Sequence, residues 1–457
     1  MNSVVYRTIR MMSSSSSSLS ESVIFKNNNQ SRLIILNRIS KLNSLNDEMV
    51  EKILPRLIEY SKSDQTSNII LTSNSPKALC AGGDVAACAK SMLNNQPQEC
   101  AKYFQHEYNL DYLISTLPKP YISIMDNITM GGGVGLSIHA PFRVATERTK
   151  LAMPEMDIGF FPDVGTTFFL PKLDDKLGYY YALTGEILTG KDVYFMGFAT
   201  HYINSEKIPS LISRLGGVSG FEQVNQVLQE FEDNKIDYKF PFSKQEIQII
   251  KTAFSNSTIE SIFDYLKQEN SQFSQKLLQK LLEKPISSLK VALELMRRGE
   301  SNSIRQQFEL EMIAATNIVN LPLESNDFCK GVKHKLIDKI KQPFFPQWSK
   351  VDSNYVDQIL SKSINTTKQL DSPLLNKFFG IDYKNYPYHN GLPNNQNVAE
   401  YITGNDGSGR SYLPTPNEVI QHFSKSGKLG VEHKVKHILS IHGDTEKYDG
   451  KYVSWKD

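Results

Sequence analysis

Apolar and polar positions follow two periods in the first half of the chain and settle into one in the second. Residues 22–38 predict a hairpin. Val23-Ile24-Phe25 and Leu33-Ile34-Ile35-Leu36 are strand-forming runs, and Asn27-Asn28-Asn29 supplies the turn. From 46 to 60 the apolar residues Met49, Ile53, Leu54, Leu57 and Ile58 recur at helical spacing, with Asn46 as the cap. Residues 68–72 (NIILT) predict a buried strand. The stretch 77–84 (KALCAGGD) places a glycine turn before a further helix, which Asp84 is positioned to cap. A helical run over roughly 98–117 passes through Pro118 and Pro120 into a strand at 121–125 and on to Gly131-Gly132-Gly133. Phe142-Arg143-Val144-Ala145 predicts another strand. Two strand–glycine-turn–helix units therefore follow one another, and such turns converge at one end of a layered α/β structure.

From Gly178 the period becomes helical, over 178–185 and 190–197, each segment ended by glycine, with 200–203 as a last short strand. Residues 207–320 then read as a series of amphipathic helices. The clearest are 245–254, 259–267, 276–284, 287–298 and 304–318. Their apolar stripes are the ordinary mark of helix packing. Past 362 the texture shifts toward Asn, Pro, Tyr and Gly, and a weak repeat appears: 391–401 resembles 412–423, each a Leu-Pro start before a short amphipathic helix. A third helix spans 430–439. This tail reads as a small docking module or an oligomer contact, and it holds no constellation that does chemistry. Cut near 362, the chain is expected to keep a folded, soluble core.

Composition narrows the class. The chain has 457 residues, 40% hydrophobic and 22% charged, with a formal net charge of +2. That is the make-up of a soluble globular protein long enough for two or three domains. Its near-balance gives no argument for nucleic acid or membrane as the main partner. No apolar run reaches the ~18 residues of a membrane span. The four cysteines, Cys80, Cys88, Cys100 and Cys329, form no CxxC pair, which argues against structural zinc and for reduced thiols. Residues 1–20 carry Arg7, Arg10, a serine run and no acid. That is the pattern of a mitochondrial transit peptide, with a Ser-rich tail as the alternative.

The candidate chemistry sits in 131–165 (GGGVGLSIHAPFRVATERTKLAMPEMDIGFFPDVG). A glycine triplet lets backbone approach a ligand closely, although alone it is also an ordinary turn. Glu155 and Asp163 follow on segments broken by Pro154 and Pro162. Backbone amides facing loop-borne carboxylates suit chemistry on a carbonyl: the amides hold a developing oxyanion, and a carboxylate attacks or activates water. KALCAGGD offers a second amide source.

These motifs, with the later LGYYYALTG, DVYFMGFATHYI and NDFCKGVKHKLIDK, resemble the 3-hydroxyisobutyryl-CoA hydrolase family of the crotonase (enoyl-CoA hydratase) superfamily, over about residues 21–348. The resemblance implies an α/β fold: a crotonase spiral of ββα turns, C-terminal helices over the site, and an added helical tail. It divides the chain into a leader (1–20), a core with the active site (21–206), a helical C-terminal part (207–350) and an extension (365–457). It implies an acyl-CoA thioester substrate, self-association, no cofactor and no metal. Carried over by position, the oxyanion amides fall on Gly83 and Gly132, the catalytic carboxylates on Glu155 and Asp163, and a further acidic substrate contact on Glu107. Hydratases of the superfamily carry a second Glu where this chain has Gly135, which disfavours hydration and favours thioester hydrolysis in valine breakdown, in the mitochondrial matrix. Relatives with Leu-Pro extensions resemble a component of the mitochondrial small ribosomal subunit, so the tail also suggests ribosome association. Departures from the family pattern are Asn127, Met156, Asp157, Thr166, Thr167 and Lys330. Asp157 is expected to crowd Glu155 and Asp163 with like charge, and Thr166 and Thr167 to be suspects should the site be disabled.

Overall fold

A computed structural model of the chain describes residues 21–341, 350–361 and 379–456; the candidate leader 1–20 lies outside them. The hairpin pairs β1 (Val23–Asn28) with β2 (Ser31–Leu36), in register from Val23–Leu36 to Asn28–Ser31. That register leaves Asn29-Gln30 as the loop, so Asn27 and Asn28 belong to the strand and only Asn29, at φ 51, does the turning. Helix α1 (Asp47–Lys62) starts where expected, with Asn46 accepting from Met49 N–H at 3.2 Å.

The chain then repeats one move. β3 (Asn68–Ser73) passes into a short β4 (Ala78–Cys80) and helices α2 (Val85–Leu93) and α3 (Pro97–Ser115). β5 (Tyr121–Met125) passes into β6 (Ile128–Met130) and α4 (Gly132–Ile138). β7 (Phe142–Ala145) passes into β8 (Lys150–Ala152) and a 3₁₀ turn at Glu155–Ile158, with α5 (Thr166–Phe169) beyond it. The long strands build one sheet in the order β1-β2-β3-β5-β7-β10, closed by β10 (His201–Tyr202) and parallel after the first pair. The short ones build a second, β4-β6-β8 parallel with β9 (Leu188–Thr189) antiparallel at its edge. This is the expected spiral of ββα turns.

Strand alternation explains why the large sheet is apolar on both faces. Ile34, Ile69, Leu71 and Tyr121 face the main core, while Leu33, Ile35, Ile70, Ile122 and Val144 face helices Ile208–Leu215 and Gly220–Phe231. The other predicted helices form close to their predicted places. Gln272–Leu282 starts earlier than its apolar spacing suggests because Ser271 caps it, accepting from Ser274 N–H. Asp84 does not cap α2; its carboxylate pairs with Arg38 at 2.8 Å.

In the tail, helices Asn395–Thr403 and Pro416–Ser424 carry the two Leu-Pro repeats, each with a capping box, and Val431–His442 follows. Val398, Ile402, Val419, Val435, Ile438 and Val453 close a small core of their own. The tail is nevertheless fastened to the body. Tyr112 Oη donates to Ile381 O (3.2 Å), Ile304 N–H to Tyr383 O (2.9 Å) and Tyr386 Oη to Ala140 O (2.6 Å). Lys434 pairs with Asp174 (3.1 Å) and His442 with Asp175 (3.0 Å).

Candidate active site

Parallel pairing of β4, β6 and β8 decides which residues meet. Each strand ends at the same edge of the small sheet, so the segments that follow lie side by side: Gly82-Gly83 after β4, Gly131-Gly132 after β6, Pro154-Glu155 after β8. The approach is too close for side chains. A Cβ on Gly132 would lie 2.3 Å from Glu107 Oε1 and 3.2 Å from the Gly83 nitrogen. One on Gly131, at φ 47, would lie 2.7 Å from Glu155 Oε1. Among the described residues the amides of Gly83 and Gly132 donate to no protein group. Glycine here leaves two free N–H groups beside two carboxyls.

Five acids gather around these turns, all buried: Glu107 and Asp111 from α3, Glu155, Asp163, and Glu311 from helix Ile304–Val319. The structure thus brings together Gly83, Gly132, Glu107, Glu155 and Asp163. It adds Asp111 and Glu311, which the sequence reading missed. A signal existed for both: each is an acid on the apolar face of a predicted helix, Asp111 one turn after Glu107 and Glu311 beside Phe308 and Met312. Glu107 Oε1, Glu155 Oε2 and both oxygens of Asp111 have no hydrogen-bond partner among the described residues.

Burial dominates the electrostatics. Desolvation, then the charge of Asp163, pushes Glu107 and Glu155 well above the ordinary carboxylate range. Asp111 rises for the same first reason, then through Glu107. Asp163 is pushed up to about 7 by burial, against the donation of Tyr108 Oη to its Oδ2 at 2.8 Å. Asp157 meets the expectation of crowding only in part. It lies against Lys284 and Lys335, which outweigh its partial burial and hold it below its ordinary value. It still adds to the charge that raises Glu155, behind burial, Asp163 and Glu107. Thr166 and Thr167 serve the loop: Thr166 Oγ1 donates to Asp163 O (2.7 Å), and the Thr167 hydroxyl donates to Glu311. Among the described residues, the one trio with ligand atoms close enough for a shared cation is Asp47, Glu51 and His106, which includes none of these acids.

A ββα spiral whose turns set two free amides beside buried carboxyls is the architecture of the crotonase fold. Residues 31–362 match the family model described as enoyl-CoA hydratase/isomerase. The chain is 37% identical to small ribosomal subunit protein mS47 of Neurospora crassa, an alignment covering 95% of this chain and 88% of that one. It is 38% identical to the mitochondrial 3-hydroxyisobutyryl-CoA hydrolase of Danio rerio, over 77% of this chain and 91% of that one. Among solved structures it resembles a carnitinyl-CoA dehydratase from Mycobacterium thermoresistibile, with TM-score 0.67 and 30% identity over 75% of this chain and 97% of that one. The chain belongs to the enoyl-CoA hydratase/isomerase family, in the branch of the 3-hydroxyisobutyryl-CoA hydrolases.

Proposed function

We propose that the chain hydrolyses the thioester of 3-hydroxyisobutyryl-CoA to 3-hydroxyisobutyrate and CoA, a step of valine breakdown in the mitochondrial matrix. One observation carries the reading: the amides of Gly83 and Gly132 donate to no protein group among the described residues and lie side by side next to the buried Glu107, while Glu155, whose Oε2 is without a partner, sits against the adjoining Gly131. A thioester carbonyl oxygen placed between the amides gains two donors as it becomes an oxyanion. Glu155 then attacks the carbonyl carbon or takes a proton from the water that does so; the thiolate of CoA leaves and is protonated, and water supplies the oxygen of the acid. Asp163 and Glu107 meet the acyl group and its hydroxyl. Hydration is disfavoured by room as well as by residue type. A Cβ on Gly135 would lie 2.7 Å from both Asp111 Oδ2 and Val164 Cβ, so no longer carboxylate can start there.

Release of free thiol from 3-hydroxyisobutyryl-CoA tests this. Glu155→Gln should lower kcat on the order of a thousandfold while thioester binding persists. Because Glu155 acts ionised, kcat/KM should climb with pH through a range above that of ordinary carboxylates. Equal turnover of mutant and wild type removes Glu155 from the mechanism.

A second reading is favoured by coverage. The alignment with the Neurospora ribosomal protein takes in 95% of the chain and so reaches into the tail, whereas that with the Danio hydrolase takes in 77%. We infer that the tail side is where the chain would join a mitochondrial small ribosomal subunit, as a hydrolase with a second role or in place of catalysis. Co-sedimentation of the mature chain with mitochondrial ribosomes at moderate salt is the expected result. A peak confined to the soluble fractions removes this reading. Self-association is proposed on the family likeness alone.

A further inference from the structure

The turn that carries Asp163 is bent against the preference of its own residues. Val164 has φ 54, the left-handed region, where a β-branched side chain is disfavoured. Gly165 continues at φ 77. Such a conformation persists only where the surroundings over-determine it, and such places cluster at functional sites.

Groups from two elements over-determine this one. His139, at the end of α4, donates through Nε2–H to Val164 O at 2.9 Å, and burial pushes its imidazole down to about 4, so it is neutral. Glu311 accepts from Gly165 N–H (2.7 Å), Thr167 N–H (3.2 Å) and the Thr167 hydroxyl. Gln307, one turn earlier, donates to Thr167 Oγ1 (2.7 Å) and to Leu295 O (2.9 Å), so the anchor itself is anchored. Phe308 and His139 close the space around Gly165; a Cβ there would meet them at 2.4 and 2.5 Å. Upstream, Tyr108 holds the Asp163 carboxyl itself. A relaxed turn would rotate Asp163 away from that phenol.

We propose that Glu311, backed by Gln307 and opposed by His139, is a positioning residue that holds the left-handed Val164–Gly165 turn and so aims the Asp163 carboxyl at the hydroxyl of the acyl group. This rests on the hydrolase reading, in which Asp163 meets that hydroxyl. A purely structural acid would support the fold without favouring one substrate over its close analogue.

The experiment compares two thioesters that differ by that hydroxyl, 3-hydroxyisobutyryl-CoA and isobutyryl-CoA. Affinities are measured by calorimetry on the full chain carrying Glu155→Gln, so that neither is consumed. The parent should prefer the hydroxylated ligand by about tenfold, the size of one well-placed hydrogen bond. Adding Glu311→Ala should bring that preference close to one, with affinity for isobutyryl-CoA changed by less than about threefold. Adding Val164→Gly to that variant should restore most of the preference, because glycine enters the left-handed turn without the penalty. Should Glu311→Ala not fold, Thr167→Val, which removes one donor to Glu311, is read instead and should move the preference the same way by a smaller factor. A preference retained without Glu311, or affinities for both ligands falling together, overturns the proposal. A parent that binds neither thioester takes down the hydrolase reading, and the proposal with it.

Discussion

Asp163 illustrates how a single residue reads out its surroundings. Its carboxyl ionises near 3.8 in the unfolded chain and near 7 in the fold, because burial outweighs the Tyr108 hydrogen bond. Between those values the folded protein holds a proton that the unfolded chain has lost. The stability from this group is therefore whole below about pH 4 and declines as pH rises toward about 7, on the order of 4 kcal/mol in all. Asp163→Asn removes that decline. In denaturation measured from pH 4 to 8, its stability relative to wild type should rise across the window and then level off. A constant difference would mean that Asp163 titrates normally. At this scale the sequence was informative where the candidate residues sit in contiguous motifs: Gly83, Gly132, Glu155 and Asp163 all lie in such stretches and meet in the fold. It marked Asp111 and Glu311 only as acids on apolar helix faces and said nothing of His139, because the importance of all three comes from what lies opposite them. It anticipated the like charge that Asp157 adds to Glu155 but not its pairing with Lys284 and Lys335, far along the chain.

Between elements, the contact of α3 with α4 sets the limits of the site. Gly135 lets α4 lie against Asp111 and Val164, and a Cβ there would stand 2.7 Å from each. Gly135→Ala is expected to destabilise by about 1–3 kcal/mol in denaturant unfolding. Asp111→Ala removes one of the two obstacles, so the double variant should be more stable than the sum of the single losses predicts. Strict additivity would show that Val164 alone carries the clash. The same scale separates what periodicity reveals from what it hides. Long helices such as Ile304–Val319 and Ile286–Gly299 announce themselves by their stripes. The three-residue strands β4, β6 and β8 do not, being too short to show a period. Yet their parallel pairing is what aligns Gly83, Gly132 and Glu155. The expected spiral therefore rested on motif likeness, and the small sheet that orders the site had no pattern of its own.

For the whole molecule the question is whether the tail is cargo or wall. Texture alone suggested a separable module, and a chain ending near 362 was expected to stay folded and soluble. The contacts argue otherwise. Arg143, 4% exposed, donates to Tyr386 Oη at 2.9 Å, and Tyr388 stacks on Phe221 at 5.5 Å. Asp174 and Asp175 find Lys434, Asn395 and His442 across the same seam. Removing the tail would uncover aromatic surface and leave these acids without their partners, and losing one member of a largely buried ion pair costs on the order of 3 kcal/mol. Tyr112, Ile304 and Ala140, which grip the strap around Tyr383 and Tyr386, belong to or adjoin the elements bearing Asp111, Glu311 and Gly132. A chain cut after residue 361 should therefore melt at least about 5 °C lower than the full chain and expose dye-binding apolar surface. Lys434→Met in the full chain should lower the melting temperature in the same direction by less. An unchanged melting temperature on truncation would restore the module view, and a partner would then meet a detachable arm. The predicted loss would mean that any ribosomal neighbour meets one folded surface, and that surface is braced by the helices that carry the buried acids Asp111 and Glu311.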